Sequence, residues 1–316
     1  MKIIDGRALA EKIKDGIVKE ILGKEYFKKA EEEACACGHD HGHEHGKEEA
    51  ERKSEIILNC QRPNLAIILV GNREDSALYV SLKEKEAKKV GIDTHIYKCP
   101  EDITEPEILE MIDYLNQDDL IDGILIQLPL PKALDTDRII AAIDPGKDVD
   151  GFHPDNLKLL SEHCVRGGLL PPVFEVVLEM LESIECGLEG KKVAVLANSE
   201  IFGVSLARVL ECKGARAEAV YGNDKDLRKV TSESDILISA VGKPKFIKKD
   251  MIKKDAVIID IGISKEKGAV CGDADFEDLE KKAGFITPVP GGVGPVTIAM
   301  TFRNTLKLFK KRHGKA

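Results

Sequence analysis

The sequence predicts an α/β fold with two domains, each built around a parallel sheet. Short, β-branched apolar runs alternate with longer amphipathic segments along most of the chain, a pattern typical of parallel sheets covered by helices on both faces. At 316 residues the chain is long enough to form two hydrophobic cores. A polar region with proline and glycine, residues 144–172, divides the alternation into two blocks, and we interpret it as the linker.

Each predicted strand is a short and nearly continuous apolar run, which indicates burial on both faces of a sheet. The predicted strands are 65–70, 123–127, 193–196, 235–239 and 257–261. Each predicted helix instead has apolar residues at helical spacing. The predicted helices lie near 9–22, 76–90, 105–116, 173–181 and 203–213.

Composition and charge argue against several classes of function. The chain has 47 Lys and Arg against 56 Asp and Glu, a net charge of -9. The sequence lacks the basic patch with aromatic residues that would predict a nucleic-acid partner. The sequence also lacks the apolar run of about 18 residues that would predict a membrane span. Its amino terminus lacks the apolar core of a signal peptide. The eight cysteines are scattered, unlike a secreted disulfide framework. We expect an acidic, soluble protein of the reducing cytoplasm, with no membrane partner.

The most informative segment is 286–295, Ile-Thr-Pro-Val-Pro-Gly-Gly-Val-Gly-Pro. Three prolines and three glycines in ten residues are incompatible with a helix interior or a central strand, so the segment is predicted to be a shaped loop. With so little side chain, it would meet a ligand through closely approaching backbone groups. A helical pattern follows it, which places the loop at the positive end of a helix. The alternative interpretation is a hinge between domains.

Residues 25–55 form a charge-dense insert that interrupts the α/β pattern. Its centre carries thiols and imidazoles at alternating positions, which are competent ligands for zinc, nickel or copper. These candidate metal ligands are Cys35, Cys37, His39, His41, His43 and His45. The spacing lacks a Cys-x-x-Cys pair, so we favour a solvated insert and expect no required metal.

Tyr79 and Lys83 form the main catalytic signal. They lie four residues apart in a predicted helix, so both side chains share one face and can act on one bound molecule. Gln127 ends a predicted buried strand, at the edge of the sheet where open α/β folds bind ligands. Asp148 and Asp150 follow in a turn at the presumed domain junction, where at least one is expected to cap the loop. A Tyr–Lys pair alone is commonly only part of a helix surface.

Several motifs occur in one order along the chain. They are Tyr-Val-Ser-Leu-Lys at 79–83, Gln-Leu-Pro-Leu-Pro at 127–131, Lys-Asp-Val-Asp-Gly-Phe-His-Pro at 147–154 and the segment 287–295, with further matches at 235–244, 257–262 and 272–276. In these motifs the sequence closely resembles the methylenetetrahydrofolate dehydrogenase/methenyltetrahydrofolate cyclohydrolase family. The resemblance covers nearly the whole chain except the insert.

The resemblance implies a catalytic, folate-binding domain of residues 1–150 plus 288–316 and a Rossmann-like nucleotide-binding domain of residues 151–287, with a folate cleft between them. It implies two reactions. The first transfers a hydride from the methylene bridge of 5,10-methylenetetrahydrofolate to NADP. The second hydrolyses the resulting methenyl cation to 10-formyltetrahydrofolate. A homodimer is also implied.

The resemblance also implies roles for the matched residues. Lys83 would be the general acid/base of the hydrolysis, which requires part of its amine to be neutral near pH 7. Gln127 would orient that amine, Tyr79 would stack against the folate, and Asp150 would accept hydrogen bonds from the pterin ring. Further folate contacts are implied for Leu128, Pro290, Gly291, Gly292, Val293 and Gly294.

The nucleotide half departs from the family pattern. Where the family has Gly-Arg-Ser, this chain has Ala197, Asn198 and Ser199, and a neutral Asn cannot supply the charge that holds a phosphate on the adenosine ribose. Asp224 follows the next strand and would suit a free ribose diol better than a 2′-phosphate. NAD is therefore an alternative to NADP. The cofactor-binding residues implied are Ala197, Asn198, Ser199, Gly203, Asp224, Val241, Gly242 and Ile263.

Three functions remain open at the level of sequence. The leading one is a bifunctional dehydrogenase/cyclohydrolase. The second is a cyclohydrolase whose nucleotide domain has lost productive dinucleotide binding. The third is a non-catalytic metal-binding or assembly protein that uses the folate-enzyme fold, for which only residues 39–45 argue. A two-cofactor dehydrogenase assay separates the first two.

Overall fold

A computed structural model describes residues 1–22, 62–164, 169–266 and 268–314. The chain divides into two compact units. We call Met1–Glu11 with Asp150–Met300 the six-stranded unit, and Lys12–Val149 with Thr301–Ala316 the three-stranded unit, after their main sheets. The predicted insert at 25–55, with its candidate metal ligands, lies outside the described residues.

The described elements alternate between strand and helix, which confirms the predicted α/β class. The strands are β1 (Lys2–Ile3), β2 (Asn64–Val70), β3 (Asp93–Cys99), β4 (Gly123–Ile126), β5 (Lys192–Ala197), β6 (Arg216–Tyr221), β7 (Ile236–Ala240), β8 (Val257–Asp260), β9 (Ser264–Glu266), β10 (Ala269–Cys271) and β11 (Phe285–Ile286). The α-helices are α1 (Gly6–Leu22), α2 (Glu74–Val90), α3 (Glu105–Gln117), α4 (Thr136–Ala141), α5 (Pro154–His163), α6 (Pro172–Ser183), α7 (Glu200–Glu211), α8 (Leu227–Glu233), α9 (Phe276–Leu279) and α10 (Val293–Arg312).

The three-stranded unit is built on a parallel sheet in the order β3-β2-β4. After Asn64, the central strand β2 is an unbroken apolar run, and its residues 65–68 are fully buried, as expected for a strand covered on both faces. Its core continues into the apolar faces of α3 and α4 through Ile108, Ile112 and Ile139. The carboxyl ends of β2 and β4 therefore lie side by side at one edge of the sheet.

The six-stranded unit has the strand order β1-β11-β8-β7-β5-β6, and all its neighbouring strands run parallel. Its core is formed by apolar residues of β5, β7 and β8, such as Leu196, Leu237 and Ile258, which are fully buried. The strand β1 pairs with β11 in the register Lys2 to Phe285, so two segments far apart in the sequence lie side by side in the sheet. A separate antiparallel hairpin joins β9 and β10.

All five predicted strands and all five predicted helices are present, with their ends shifted by a few residues. The sequence did not predict β3 and β6, because both are edge strands with many polar residues and lack the apolar run of a central strand. The predicted linker at 144–172 contains a helix, α5. Its boundary role and the predicted domain limits, including 288–316 in the catalytic domain, stay predictions.

The loop prediction for 286–295 is wrong at both ends. Ile286 is the last residue of β11. Residues Val293, Gly294 and Pro295 form the first turn of α10. Proline and glycine are tolerated there because the first N–H groups of a helix have no partner within the helix. The shaped loop therefore ends at Gly292.

No helix among the described residues is long and apolar enough to span a membrane. The same residues contain no group of three or more His, Cys, Asp or Glu side chains that could hold a metal ion. Cys164 and Cys212 form a disulfide with a Cα–Cα distance of 5.3 Å. They directly follow α5 and α7, so the bond joins the carboxyl ends of these helices. The scattered cysteine spacing did not predict this pair.

Candidate active site

Helix α2 positions Tyr79 and Lys83. Its first turn carries Glu74 and Asp75, which complement the positive end of the helix dipole, and it ends at Gly91 with a left-handed φ of 82°. One face of α2 is buried and includes Lys83, which is only 9% exposed. A lysine is rarely this buried without hydrogen-bond partners.

Gln127 supplies a partner for Lys83. The Lys83 ammonium donates a hydrogen bond of 3.0 Å to Oε1 of Gln127. The amide nitrogen of Gln127 donates to the Leu128 carbonyl at 2.9 Å, so the side-chain oxygen faces the lysine. The backbone N–H of Gln127 donates to the Ile68 carbonyl at 2.9 Å, which fixes the residue at the sheet edge. This places an amine and an amide together at the carboxyl end of β4.

Tyr79 lies one helical turn before Lys83 and is half-buried. Burial, with a smaller contribution from the Asp75 carboxylate, raises the pKa of the Tyr79 hydroxyl above its ordinary value. The hydroxyl therefore stays protonated at physiological pH, and Tyr79 offers a flat ring without charge. Leu128 follows Gln127, is 41% exposed, and precedes Pro129 through a cis peptide bond.

Asp148 and Asp150, the two carboxylates of the turn at 147–151, have different surroundings. Asp148 is buried and forms an isolated parallel bridge with Ile124 of β4, which supports a structural role. Asp150 is half-buried and begins the second segment of the six-stranded unit. Gly151 has a φ of 67°, and a Cβ there would lie 2.9 Å from the nitrogen of Pro171, so a side chain is excluded.

The loop 287–292 is anchored within the six-stranded unit. The buried Thr287 accepts a hydrogen bond of 2.7 Å from the Asp260 backbone N–H. A Cβ on Gly6 would lie 1.9 Å from the Gly292 carbonyl oxygen, so the start of α1 packs directly on the loop backbone. Gly291 has a φ of 103°, which glycine adopts readily and other residues do not. Pro290 is exposed beside it.

The predicted nucleotide residues lie at the carboxyl ends of β5 and β7. Ser199 accepts a hydrogen bond of 3.4 Å from the Phe202 N–H and begins α7 as its N-cap. A Cβ on Gly203 would lie 3.3 Å from the Ala219 side chain, so glycine allows α7 to pack closely against the sheet. The buried Ala197 ends β5, and the Asn198 amide donates to the Val241 carbonyl at 3.3 Å.

The other predicted nucleotide residues surround this edge. Val241 is buried and Gly242 has a φ of 64°, immediately after β7. Ile263 is 47% exposed after β8. Asp224 does not project freely, because its carboxylate accepts a hydrogen bond of 2.7 Å from the Tyr221 N–H. The carboxylate therefore closes the turn after β6. The contact between Asp224 and a ribose stays a prediction.

Two buried carboxylates were missed as site residues by the sequence interpretation. Asp260 accepts hydrogen bonds from the backbone N–H groups of Gly262, Asp273 and Ala274 at 2.8 to 3.0 Å. Burial raises the pKa of Asp260 to about 6, although these N–H groups oppose the shift. An apolar strand that ends in Asp followed closely by glycine was the available signal.

Asp273 is completely buried and organises the residues after β7. Its carboxylate accepts hydrogen bonds of 2.8 Å from the Ser239 hydroxyl and from the backbone N–H groups of Val241 and Lys243. A Cβ on Gly262 would lie 2.2 Å from the Asp273 carboxyl carbon, so glycine is required there. The two carboxylates thus fix the carboxyl ends of β7 and β8.

The structure brings Tyr79, Lys83, Gln127 and Leu128 together in the three-stranded unit. The loop 287–292, the nucleotide residues and Asp150 belong to the six-stranded unit. The six-stranded unit has a parallel sheet with a glycine-bearing helix start at its strand ends, and the three-stranded unit holds a buried lysine–amide pair. Together these features define a two-domain α/β enzyme of the dinucleotide-binding class.

Comparisons with known proteins identify the family. The model of the tetrahydrofolate dehydrogenase/cyclohydrolase catalytic domain matches residues 4–150, and the model of its NAD(P)-binding domain matches residues 171–313. The chain therefore belongs to the tetrahydrofolate dehydrogenase/cyclohydrolase family. It is 40% identical over 312 residues to the bifunctional protein FolD of Nitratiruptor sp., with 99% of each chain covered.

Solved structures agree with this assignment. The bifunctional FolD of Campylobacter jejuni has 36% identity and a TM-score of 0.83, and 99% of each chain is covered. The Trypanosoma brucei enzyme, solved with NADP and an inhibitor, has 31% identity and a TM-score of 0.82, with 99% of this chain and 98% of that chain covered. The resemblance seen in the motifs is confirmed along nearly the full length.

Proposed function

We propose that this protein interconverts one-carbon tetrahydrofolates as a bifunctional enzyme. It oxidises 5,10-methylenetetrahydrofolate to 5,10-methenyltetrahydrofolate by transferring a hydride from the methylene carbon to NADP. It then hydrolyses the methenyl product to 10-formyltetrahydrofolate. The hydrogen bond between Lys83 and Gln127, in a chain of this family, is the observation that carries the proposal.

The lysine–amide pair suits the hydrolysis. Water adds to the cationic methenyl carbon and loses a first proton. The bond from that carbon to N5 then breaks as a second proton is added to N5, and the hydroxyl on the carbon releases its own proton to solvent as it becomes the formyl carbonyl. The neutral Lys83 amine accepts the first proton and its ammonium supplies the second, which is general base and then general acid catalysis by one group. Gln127 holds the amine through Oε1. No covalent intermediate with the protein is needed.

The remaining predicted site residues bind and orient the substrate. The half-buried, neutral Tyr79 ring stacks on the folate, and Leu128 offers exposed apolar surface beside Gln127. Asp150 accepts hydrogen bonds from the pterin. The loop from Pro290 to Gly292 and the start of α10 at Val293 and Gly294 present backbone groups to folate.

The six-stranded unit binds the dinucleotide that accepts the hydride. Its carboxyl edge offers the N-terminus of α7 and the glycine-bearing turn after β7, the features that approach a pyrophosphate in Rossmann-like folds. The T. brucei relative was solved with NADP, which supports NADP as the oxidant. We also propose that the protein is a cytoplasmic homodimer, and that residues 1–150 plus 288–316 and residues 151–287 are its functional domains.

Two assays on the purified protein test this function. Formation of the methenyl product, followed with NADP and separately with NAD, measures the dehydrogenase, and loss of added methenyltetrahydrofolate measures the hydrolase. We expect both activities. Hydrolysis without reduction of either cofactor would replace this proposal with a cyclohydrolase alone, and the absence of both would refute the proposal.

A further inference from the structure

Lys243 reaches from the end of β7 to the end of β6. Its ammonium nitrogen lies 3.3 Å from the position that a Cβ on Gly222 would occupy. Gly222 directly follows β6, whereas Lys243 follows β7, two strands away in the sheet order. The lysine therefore delivers a positive charge to the carboxyl end of β6.

The position of Lys243 is fixed at its backbone. Its N–H donates a hydrogen bond of 2.8 Å to the completely buried carboxylate of Asp273. Gly242, immediately before it, turns the chain with a φ of 64°. The ammonium of this exposed side chain also lies 5.3 Å from the centre of the Phe246 ring, within the range of a cation–π contact.

The end of β6 is where a dinucleotide fold distinguishes its two cofactors. In such folds an acidic residue there binds the free ribose diol of NAD, whereas a nearby cation accommodates the 2′-phosphate of NADP. Here the acidic candidate, Asp224, accepts a hydrogen bond from the Tyr221 N–H. Asn198 is neutral and donates to the Val241 carbonyl. Among these three side chains, only Lys243 brings a positive charge to this position.

We propose that Lys243 is the residue that selects NADP over NAD, by pairing its ammonium with the 2′-phosphate of the adenosine ribose. The inference rests on the proposed dehydrogenase function and adds the origin of its cofactor preference. It also explains how the chain uses a phosphorylated dinucleotide without an arginine at position 198. Lys243 is a specificity-determining residue and takes no part in the hydride transfer.

The test compares cofactor preference in matched variants. Values of kcat/KM for NADP and for NAD are measured for the wild type, Lys243→Gln, Lys243→Arg and Lys225→Gln. The last removes the same charge from an exposed lysine of the turn between β6 and α8. We expect Lys243→Gln to lower kcat/KM for NADP by about 10- to 100-fold, which corresponds to the loss of one charge-assisted hydrogen bond. The decrease should come from a higher KM for NADP. NAD should change little, and Lys243→Arg should keep the preference.

Direct binding separates this inference from the proposed function. Calorimetry with 2′,5′-ADP and 5′-AMP compares the phosphate-bearing fragment with the plain one and needs no catalysis. We expect the wild type to prefer 2′,5′-ADP and Lys243→Gln to lose that preference. An unchanged preference, an equal loss for both ligands, an equal effect of Lys225→Gln, or a wild type that prefers 5′-AMP would overturn the assignment. A failed dehydrogenase assay with a Lys243-dependent preference would overturn only the proposed function.

Discussion

Oε1 of Gln127 accepts a hydrogen bond from the buried ammonium of Lys83, and the amide nitrogen of the same side chain donates to the Leu128 carbonyl. An amide has one acceptor and one donor end, so the second contact decides which end faces the lysine. The orientation leaves Lys83 next to a neutral acceptor. A neutral acceptor stabilises the charged form of an amine less than a carboxylate in the same position would.

Lys83→Met tests the general acid/base role. The variant keeps a long apolar side chain on the buried face of α2 but has no proton to exchange. We expect hydrolysis to fall at least about 100-fold, as is usual when a general acid/base is removed. Hydride transfer itself needs no such group, so the dehydrogenase should lose less activity. Lys85→Met, an exposed change on the same helix, is the control, and wild-type hydrolysis in Lys83→Met would remove the assigned role.

Gln127→Glu tests the importance of a neutral partner. A carboxylate at this position would stabilise the protonated lysine by direct charge pairing. We expect hydrolysis to slow near pH 7 and its pH–rate profile to shift to higher pH. The measurement is hydrolysis across pH 6 to about pH 9.5, a range set by the ordinary titration of lysine. A lower plateau with an unshifted profile would mean that Gln127 serves only to pack the site.

The Asp260 carboxyl predicts a pH dependence of stability. Its pKa is raised to about 6 by burial, so between the unfolded value near 4 and pH 6 the native state binds the additional proton. The stabilisation from this group is complete below about pH 4 and is lost as pH rises through about 6. The loss amounts to roughly 3 kcal/mol at most.

Asp260→Asn makes that dependence measurable. Denaturant unfolding at pH 4 to about pH 8 should show that the wild type loses stability relative to the variant as pH rises. Glu280→Gln, an exposed change in the same unit, should leave the wild-type profile intact. A difference between wild type and Asp260→Asn that is constant with pH would contradict the raised pKa.

The bond between Cys164 and Cys212 predicts a redox-dependent stability. It closes a loop whose ends are 48 residues apart in the sequence. For a loop of this length the chain-entropy model gives a stabilisation of the folded state of about 4 kcal/mol. We expect a thiol reductant to lower the free energy of unfolding of the wild type and to leave Cys212→Ser unaffected. Cys271→Ser, which removes a free thiol, should remain sensitive. Because cytoplasmic thiols are normally reduced, alkylation and mass spectrometry at a cytoplasmic glutathione ratio would report the form present there.

The sequence is most predictive where a residue's own neighbours decide its structure. The run in β2 predicts a buried strand because each residue is apolar, and Tyr79 and Lys83 share a face because helical spacing requires it. The strand β3 is not predicted, because many of its residues are polar and its pairing with β2 joins segments that are distant in the sequence. The same limit applies to the disulfide and to Asp273, whose partners are 48 and 30 to 34 residues away.

Cofactor choice shows the limit most clearly. Asn198 and Asp224 suggest NAD when each is judged by its residue type. In the fold both side chains hold backbone groups, whereas Lys243, which the motif interpretation left without a role, comes close to Gly222. The position of one long side chain across two strands cannot be derived from local sequence.

The pairing of β1 with β11 also orders events during synthesis. Lys2 finds its partner only when Phe285 exists, so Lys2 stays unpaired at this edge of the sheet until the residues between them have been synthesised. Contacts of such high sequence separation form late because a long loop must close first. A stalled or truncated nascent chain would therefore expose the β8 edge of the sheet, and such an unpaired edge favours association with other chains.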